Sequence, residues 1–172
     1  MKLTQFLEEE GYKFSNDERI QVYLTDTLDD AKYKNNPLFP YMSDETKMAN
    51  RIKLEDKIWV IIGNPPYSNY SKNKKHFIES LMTEYKIGLK EKKQNWDDYV
   101  KFMRYAQVKI TGGKYQYEKR ISKGNKDKII GEIKAHNKGV IGIITNNSFL
   151  EGSTHPVMRK SLIDTFDKIY IL

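Results

Sequence analysis

Cysteine is absent from the 172-residue chain. Its absence excludes disulfide frameworks, thiolate catalysis and zinc or iron–sulfur sites built on cysteine. Histidine is scarce: His76, His136 and His155 are scattered, so no histidine metal site is expected. Long apolar runs are missing as well. The longest is Ile58-Trp59-Val60-Ile61-Ile62, far short of the roughly 20 residues that a membrane-spanning helix needs. The N-terminus lacks the basic-then-apolar layout of a secretion signal. An integral membrane protein is excluded, and a cytoplasmic protein is expected.

What is present is enough for one core. The composition is 38% hydrophobic, 31% charged and 12% aromatic, and the length suits one domain rather than two. The net charge of +7 is unevenly spread. Residues 1–57 hold 9 basic and 12 acidic side chains, a net of −3, whereas residues 58–172 hold 21 and 11, a net of +10. A polyanion partner is one reading of that asymmetry. A solvated lysine-rich surface is the other.

Along the chain, residues 3–10 read as a short helix with Leu3, Phe6 and Leu7 on one face and Gly11 as its stop. Residues 19–24 read as a strand, because Ile20, Val22 and Leu24 alternate with polar neighbours. Residues 29–56 read as a long connection with at most one short helix near 44–51. The apolar run at 58–62 has the character of a strand buried on both faces of a parallel sheet. Helical spacing returns over 76–90, and a second helix, capped by Asn95, runs through Ile110 with Tyr99, Phe102, Met103 and Ala106 facing inward. Residues 111–127 look like an exposed loop or hairpin, and 128–137 like a short helix. Residues 140–145 form another buried strand. Ser153 or Thr154 caps a helix through Phe166 with Pro156 in its first turn, and 168–172 begin a last strand. The order implies an α/β fold, a mostly parallel sheet with helices on both faces. A helix that begins uncapped at Met1 and a chain that stops within a strand give the expectation of a single partial domain spanning 1–172.

The chemistry is concentrated in Asn64-Pro65-Pro66-Tyr67, directly after the 58–62 strand and so at the C-terminal sheet edge where open α/β folds bind ligands. Asn64 precedes a proline and is pushed toward extended backbone. Pro65 and Pro66 fix φ and offer no N–H. The segment is stiff, and its carbonyls have no competing donors. The Asn64 side-chain oxygen and the Pro65 carbonyl can accept both hydrogens of one –NH2 group, with the flat face of Tyr67 beside them. The lone pair of a planar amine is delocalised. Two such acceptors favour a pyramidal nitrogen and aim its lone pair at an electrophile. A rigid turn with a packed tyrosine is the plainer alternative.

With these residues the chain resembles the S-adenosylmethionine-dependent amino-group DNA methyltransferases of the N6-adenine type, and within them the methylase region of large fused restriction–modification polypeptides. Asn64-Pro65-Pro66-Tyr67 with the preceding Ile-Ile-Gly matches the family's catalytic motif. Tyr23-Leu24-Thr25-Asp26-Thr27-Leu28 resembles the strand end that binds the cofactor's adenine. Gly142 to Leu150, then Met158-Arg159-Lys160-Ser161-Leu162, resemble the next strand and helix, and Asp97 to Phe102 with Arg104 are similar to the fused enzymes. The likeness runs over nearly the whole chain and implies a Rossmann-like methyltransferase domain. It implies that Asn64 and Pro65 bond the target amine, that Tyr67 stacks on the flipped adenine, and that Asp26 binds the adenine amine of S-adenosylmethionine. For Asp26 a strand-end turn residue is the alternative.

Two departures qualify the resemblance. The family's glycine loop, which cradles the methionine part of the cofactor, is absent, and Gly112-Gly113 does not replace it. The later segment whose aromatic stacks on the other side of the target base falls beyond Leu172. The isolated chain is therefore expected to be inactive or nearly so, with full cofactor binding needing the missing N-terminal part; a polypeptide that carries that part is one candidate partner.

Weaker signals remain two-sided. Lys72, Lys74 and Lys75 are placed to touch DNA phosphates beside a flipped base or are ordinary surface lysines. Tyr115 and Tyr117 interleave with Lys114, Lys119, Arg120 and Lys123 as in nucleic-acid loops, or belong to a solvated loop. Asn146, Asn147 and Ser148 line the site or form a helix-start turn, and Phe149 reads as core. Asp97 and Asp98 fit the first turn of a helix, where its dipole favours negative charge, better than paired catalytic carboxylates. No carboxylate–lysine cluster indicates a nuclease. The rival readings are a protein-glutamine or RNA amino-group methyltransferase and a non-catalytic DNA-binding or assembly remnant.

Overall fold

A computed structural model describes residues 2–15, 20–29, 40–67, 71, 73–89, 97–122, 125–151, 153 and 155–172. The elements are α1 (Lys2–Glu9), α2 (Pro40–Leu54), β1 (Val60–Gly63), α3 (His76–Met82), a 3-10 turn (Glu84–Lys86), α4 (Asp98–Thr111), β2 (Gly113–Ser122), β3 (Asn125–Ile133), β4 (Val140–Ile143), α5 (Ser148–Glu151) and α6 (Pro156–Thr165). The architecture is mixed α/β with a small parallel sheet and helices around it.

Helix α4 is the centre of the molecule. Every residue from Tyr99 to Ile110 except Phe102 is buried, the behaviour of a helix packed on all sides. Its N-cap is Asp97 and its C-cap is Gly112, whose φ of 83° suits a residue without Cβ. Asn95 lies outside the described residues. Against α4 packs α3, which buries Phe77, Ile78, Leu81 and Met82. Each fully buried side chain of this size contributes about 1.5–3 kcal/mol.

A polar network ties α4 to its neighbours. Gln107 Oε1 accepts from the Tyr85 hydroxyl at 2.7 Å and from Arg104 at 2.8 Å, and Gln107 Nε2 donates to Thr165 Oγ1 at 2.7 Å. Arg104 also reaches the Leu81 carbonyl at 2.9 Å and the Glu84 carboxylate at 2.5 Å. Burial pushes the Tyr85 hydroxyl well above its ordinary pKa, against the pull of Arg104. Arg104 thus bonds α4 to α3 and to the 3-10 turn, and Gln107 extends the network to α6.

Among the described residues two sheets are formed, each of two strands. Strands β1 and β4 are parallel, in register from Val60 with Val140 to Gly63 with Ile143. Pairing begins where Gly139 lets the chains close up. A Cβ there would lie 2.6 Å from both the Trp59 carbonyl oxygen and Ile110 Cδ1, and the Val140 N–H reaches that carbonyl at 2.8 Å. Strands β2 and β3 form the antiparallel hairpin. Tyr115 lies across Gly131, whose missing side chain leaves room for the ring.

Several expectations are corrected. Among the described residues the parallel sheet is small, two strands only, and the other pair is antiparallel. Helices do not cover both faces among the described residues: Val60, Ile62 and Val140 are exposed. Residues 20–24 and 168–172 form no strand. Their alternation fixes which side chains share a face, but a strand also needs a ladder partner, and Val22, Leu24 and Tyr170 are exposed. Residues 128–133 belong to β3, not to a helix, because Ile129, Gly131 and Ile133 share one face and pair with Tyr117, Tyr115 and Gly113. The N-cap of α6 is His155 rather than Ser153, with Pro156 in the first turn as expected. Thr154 lies outside the described residues. In α1, Phe6 is exposed rather than packed. No helix among the described residues is long and apolar enough to cross a membrane.

Candidate functional site

Because β1 and β4 are parallel, the segments that follow Gly63 and Ile143 leave the same sheet edge. Asn64-Pro65-Pro66-Tyr67 follows β1 there. Pro65 is buried and anchors the segment, while Asn64, Pro66 and Tyr67 are exposed. The Tyr67 hydroxyl lies 2.9 Å from Asn64 Oδ1 and 2.8 Å from the Ile144 carbonyl oxygen. A phenol has one proton to share between these two acceptors. Tyr67 thus holds the asparagine amide and bridges the ends of both parallel strands.

Beneath it lies Tyr99, a residue that sequence reasoning had assigned only to a helix's inner face. It is fully buried, with its ring 6.4 Å from Tyr67 and 6.3 Å from Phe149. Its hydroxyl meets Ser148 Oγ at 3.0 Å. Burial raises the Tyr99 pKa, partly offset by that hydrogen bond. The available signal was its place next to Asp97-Asp98, at the start of a helix. Asn146 Oδ1 accepts from Ser148 N–H at 3.1 Å and from Ser148 Oγ at 2.5 Å, so Asn146 closes a helix-start turn. Phe149 packs against the core as expected.

Asp97 and Asp98 behave as helix-start residues. Asp98 bonds Ser71 Oγ. Asp97 Oδ1 is shielded from solvent and has no hydrogen-bond partner among the described residues. Burial, with the charge of Asp98, holds the Asp97 carboxyl above the usual carboxylate range.

Asp26 sits on a tight turn. Its Oδ1 accepts the Leu28 N–H at 3.0 Å, and Leu28 is buried in the core. Lys53, itself buried, donates to the Asp26 and Asp29 carbonyls at 3.0 and 2.5 Å. Asp26 Oδ2 accepts from Lys75 Nζ at 2.6 Å, and the same ammonium reaches Asp29 Oδ2 at 2.8 Å. Burial pushes the Asp26 carboxyl up, but Lys75, the Leu28 N–H and Lys53 outweigh it and hold the carboxyl below its ordinary range. The hydrogen bonds that Lys75 donates to Asp26 and Asp29 raise its pKa in turn. With Lys75 and Asp26 side chains 42% and 43% exposed, such a pair contributes only about 0–1 kcal/mol.

The site residues therefore fall into two groups. Asn64, Pro65, Pro66 and Tyr67 gather at the parallel-sheet edge with Ile144 and Tyr99. Asp26 gathers with Lys75 at the start of α3. Lys74 is exposed and forms no ion pair among the described residues, and Lys72 lies outside them. The lysine surplus is partly structural. Lys53, Lys101 and Lys109 are buried and donate to backbone carbonyls of Asp26, Asn73 and Asp56.

The interleaved aromatic–cation segment is resolved by strand alternation. Tyr115 points into the core, edge-on to Phe77 at 5.0 Å, and Tyr117 stacks on His76 at 5.8 Å. Lys114, Lys119 and Arg120 are exposed, and Lys123 lies outside the described residues. The buried Tyr115 ring is not available to stack on a base.

Compared with protein-family models, curated proteins and solved structures, the chain matches none of them.

Proposed function

We propose that the chain carries the amine-holding part of an S-adenosylmethionine-dependent DNA adenine-N6 methyltransferase of a restriction–modification system, on a Rossmann-like sheet. The observation that carries this reading is the Asn64-Pro65-Pro66-Tyr67 segment at the C-terminal end of β1, with Tyr67 bonded to Asn64 and to Ile144 at the end of β4. Asn64 Oδ1 and the Pro65 carbonyl accept the two hydrogens of the target amine. The buried Pro65 and the Tyr67 hydroxyl hold these acceptors in place beforehand, which is what lets them favour the transition state over the ground state. The exposed Tyr67 ring stacks on an adenine flipped from the duplex, worth about 1–3 kcal/mol. Lys74 and Lys75, with Lys72, contact neighbouring phosphates.

S-adenosylmethionine, when bound, supplies an electrophilic methyl group on a sulfonium. Asp26 suits the adenine end of that cofactor, because it offers a part-exposed carboxylate oxygen on a turn fixed by Leu28 and Lys53. Nothing among the described residues serves the methionine end. The reading implies a cytoplasmic protein.

The test is transfer of labelled methyl from S-adenosylmethionine, by the chain joined to a segment that supplies the glycine loop, to adenine-containing duplex DNA or to a glutamine-bearing peptide. Label at adenine N6, reduced at least about 100-fold in Asn64→Ala, is the expected result. Label on glutamine would replace DNA by protein as substrate, and no transfer to either would leave the non-catalytic reading.

A further inference from the structure

Asp26 and Lys75 are assigned by the proposed function to different ligands, a cofactor's adenine amine and a DNA phosphate. In the structure each satisfies the other. Asp26 Oδ1 faces the turn, where it accepts the Leu28 N–H, and Oδ2 is the atom that Lys75 holds at 2.6 Å, so an incoming N–H donor at Oδ2 meets the ammonium. Lys75 precedes the first residue of α3 and follows the Asn64–Tyr67 segment in the chain, so its side chain starts from the motif's own connection.

The two lysines at this turn differ in permanence. Lys53 is 5% exposed and bonds the turn's backbone carbonyls. Among the described residues the Lys75 ammonium bonds the carboxylates of Asp26 and Asp29 alone, and its side chain is 42% exposed. An ion pair that exposed exchanges partners readily. With Lys53 and the buried Leu28 in place, the turn keeps its shape when Lys75 leaves.

We propose that Lys75 is an exchangeable partner of Asp26, so that DNA phosphate and an adenine amine bind to this chain with positive coupling. This rests on the reading of Asp26 and Lys75 given above. A phosphate that takes Lys75 uncovers Asp26 Oδ2, and an amine that takes Oδ2 leaves the ammonium held by Asp29 alone, from which a phosphate draws it more easily. The ion pair is broken once, by whichever ligand arrives first, and the second ligand binds without that penalty. Coupling of this kind acts equally in both directions.

The experiment is calorimetric titration of the chain with S-adenosylmethionine, with and without a short adenine-containing duplex, for wild type, Lys75→Gln and the charge control Lys160→Gln. The expected result is a Kd for S-adenosylmethionine lowered about two- to fivefold by DNA in wild type and in Lys160→Gln, the size that an exposed ion pair can supply. In Lys75→Gln the Kd without DNA should already be low, and DNA should not shift it. Binding without a DNA effect in wild type, or a full DNA effect in Lys75→Gln, overturns the coupling and leaves the proposed function standing. No binding to any variant overturns the coupling in this chain and leaves the proposed function to the methyl-transfer test. A carbon NMR titration of Asp26 then reads the ion pair alone, through a carboxyl pKa that rises toward the ordinary value in Lys75→Gln.

Discussion

The two sheets of this protein invert the usual relation between sequence and cover. Hairpin β2–β3 is written in lysine, glutamate and tyrosine, yet its inner face is sealed: Tyr115 and Ile133 are buried, with Tyr117 and Ile129 packed against the same core. The parallel pair β1–β4 is written almost wholly in valine, isoleucine and glycine, yet Val60, Ile62 and Val140 are exposed. Hydrophobic content therefore does not say which strands are buried. The hairpin needs only one apolar face, and α3 fills it. A parallel strand that is apolar on both faces needs two layers, and here one face of the pair is bare among the described residues. That bare sheet is the one that presents Asn64 and Tyr67.

The largest difference between the sheets is expected from isoleucine truncation. Ile133, at the end of β3, is 1% exposed and belongs to the core. Ile133→Ala removes buried methyl groups and leaves a cavity, so it should cost about 2–5 kcal/mol in urea unfolding. A loss below about 1 kcal/mol would mean that the hairpin is loosely attached and that the contrast is false.

A smaller effect concerns the approach to the parallel pair. Buried Lys109 donates to the Asp56 carbonyl at 2.6 Å, and burial lowers its pKa to about 8 from 10.5. Between those values the unfolded chain holds a proton that the folded chain lacks, so stability rises with pH across that window. Wild type should gain on Lys109→Met by up to about 3 kcal/mol between the two pH limits. Comparison with the variant cancels the opposing contribution of Tyr85 and Tyr105, whose pKa values burial pushes up. Parallel stability curves would show that the ammonium is hydrated and that this corner is more open than the hairpin side.

The same contrast explains what could be read from sequence. The strands at 58–62 and 140–145 were legible because continuous apolar runs end in Gly-Asn and Thr-Asn turns, and their parallel pairing followed from the helices between them. Strand β3 was not, since Ile129, Ile130 and Ile133 satisfy helical spacing as well as alternation, and only pairing with β2 decides. Residues 20–24 alternate cleanly but have no ladder. At the site, Asn64–Tyr67 stood out because stiff backbone and two acceptors are local properties. The Tyr67 bond to Ile144 spans 77 positions and the Lys75 bond to Asp26 spans 49. Contacts at such separations are set by packing, which no local pattern encodes. Tyr99 was placed correctly as inward-facing, but which ring it would support depended on the crossover from β1 through α4 to β4.

The smallest expected effect is the sharpest test of the comparison. Ile62 is 84% exposed on the bare face of β1. Ile62→Thr keeps a β-branched side chain and its preference for strands, and removes mainly apolar surface that water already touches. If the face is open in solution, the variant should unfold within about 0.5 kcal/mol of wild type, against the several kcal/mol expected at Ile133. A loss of 2 kcal/mol or more would mean that something buries Ile62 in solution. Melting measured at several protein concentrations then separates the two ways this can happen. A midpoint that rises with concentration in wild type but not in Ile62→Thr identifies a second copy on the sheet, because mass action stabilises only an associated state. A loss independent of concentration places the cover within the same chain.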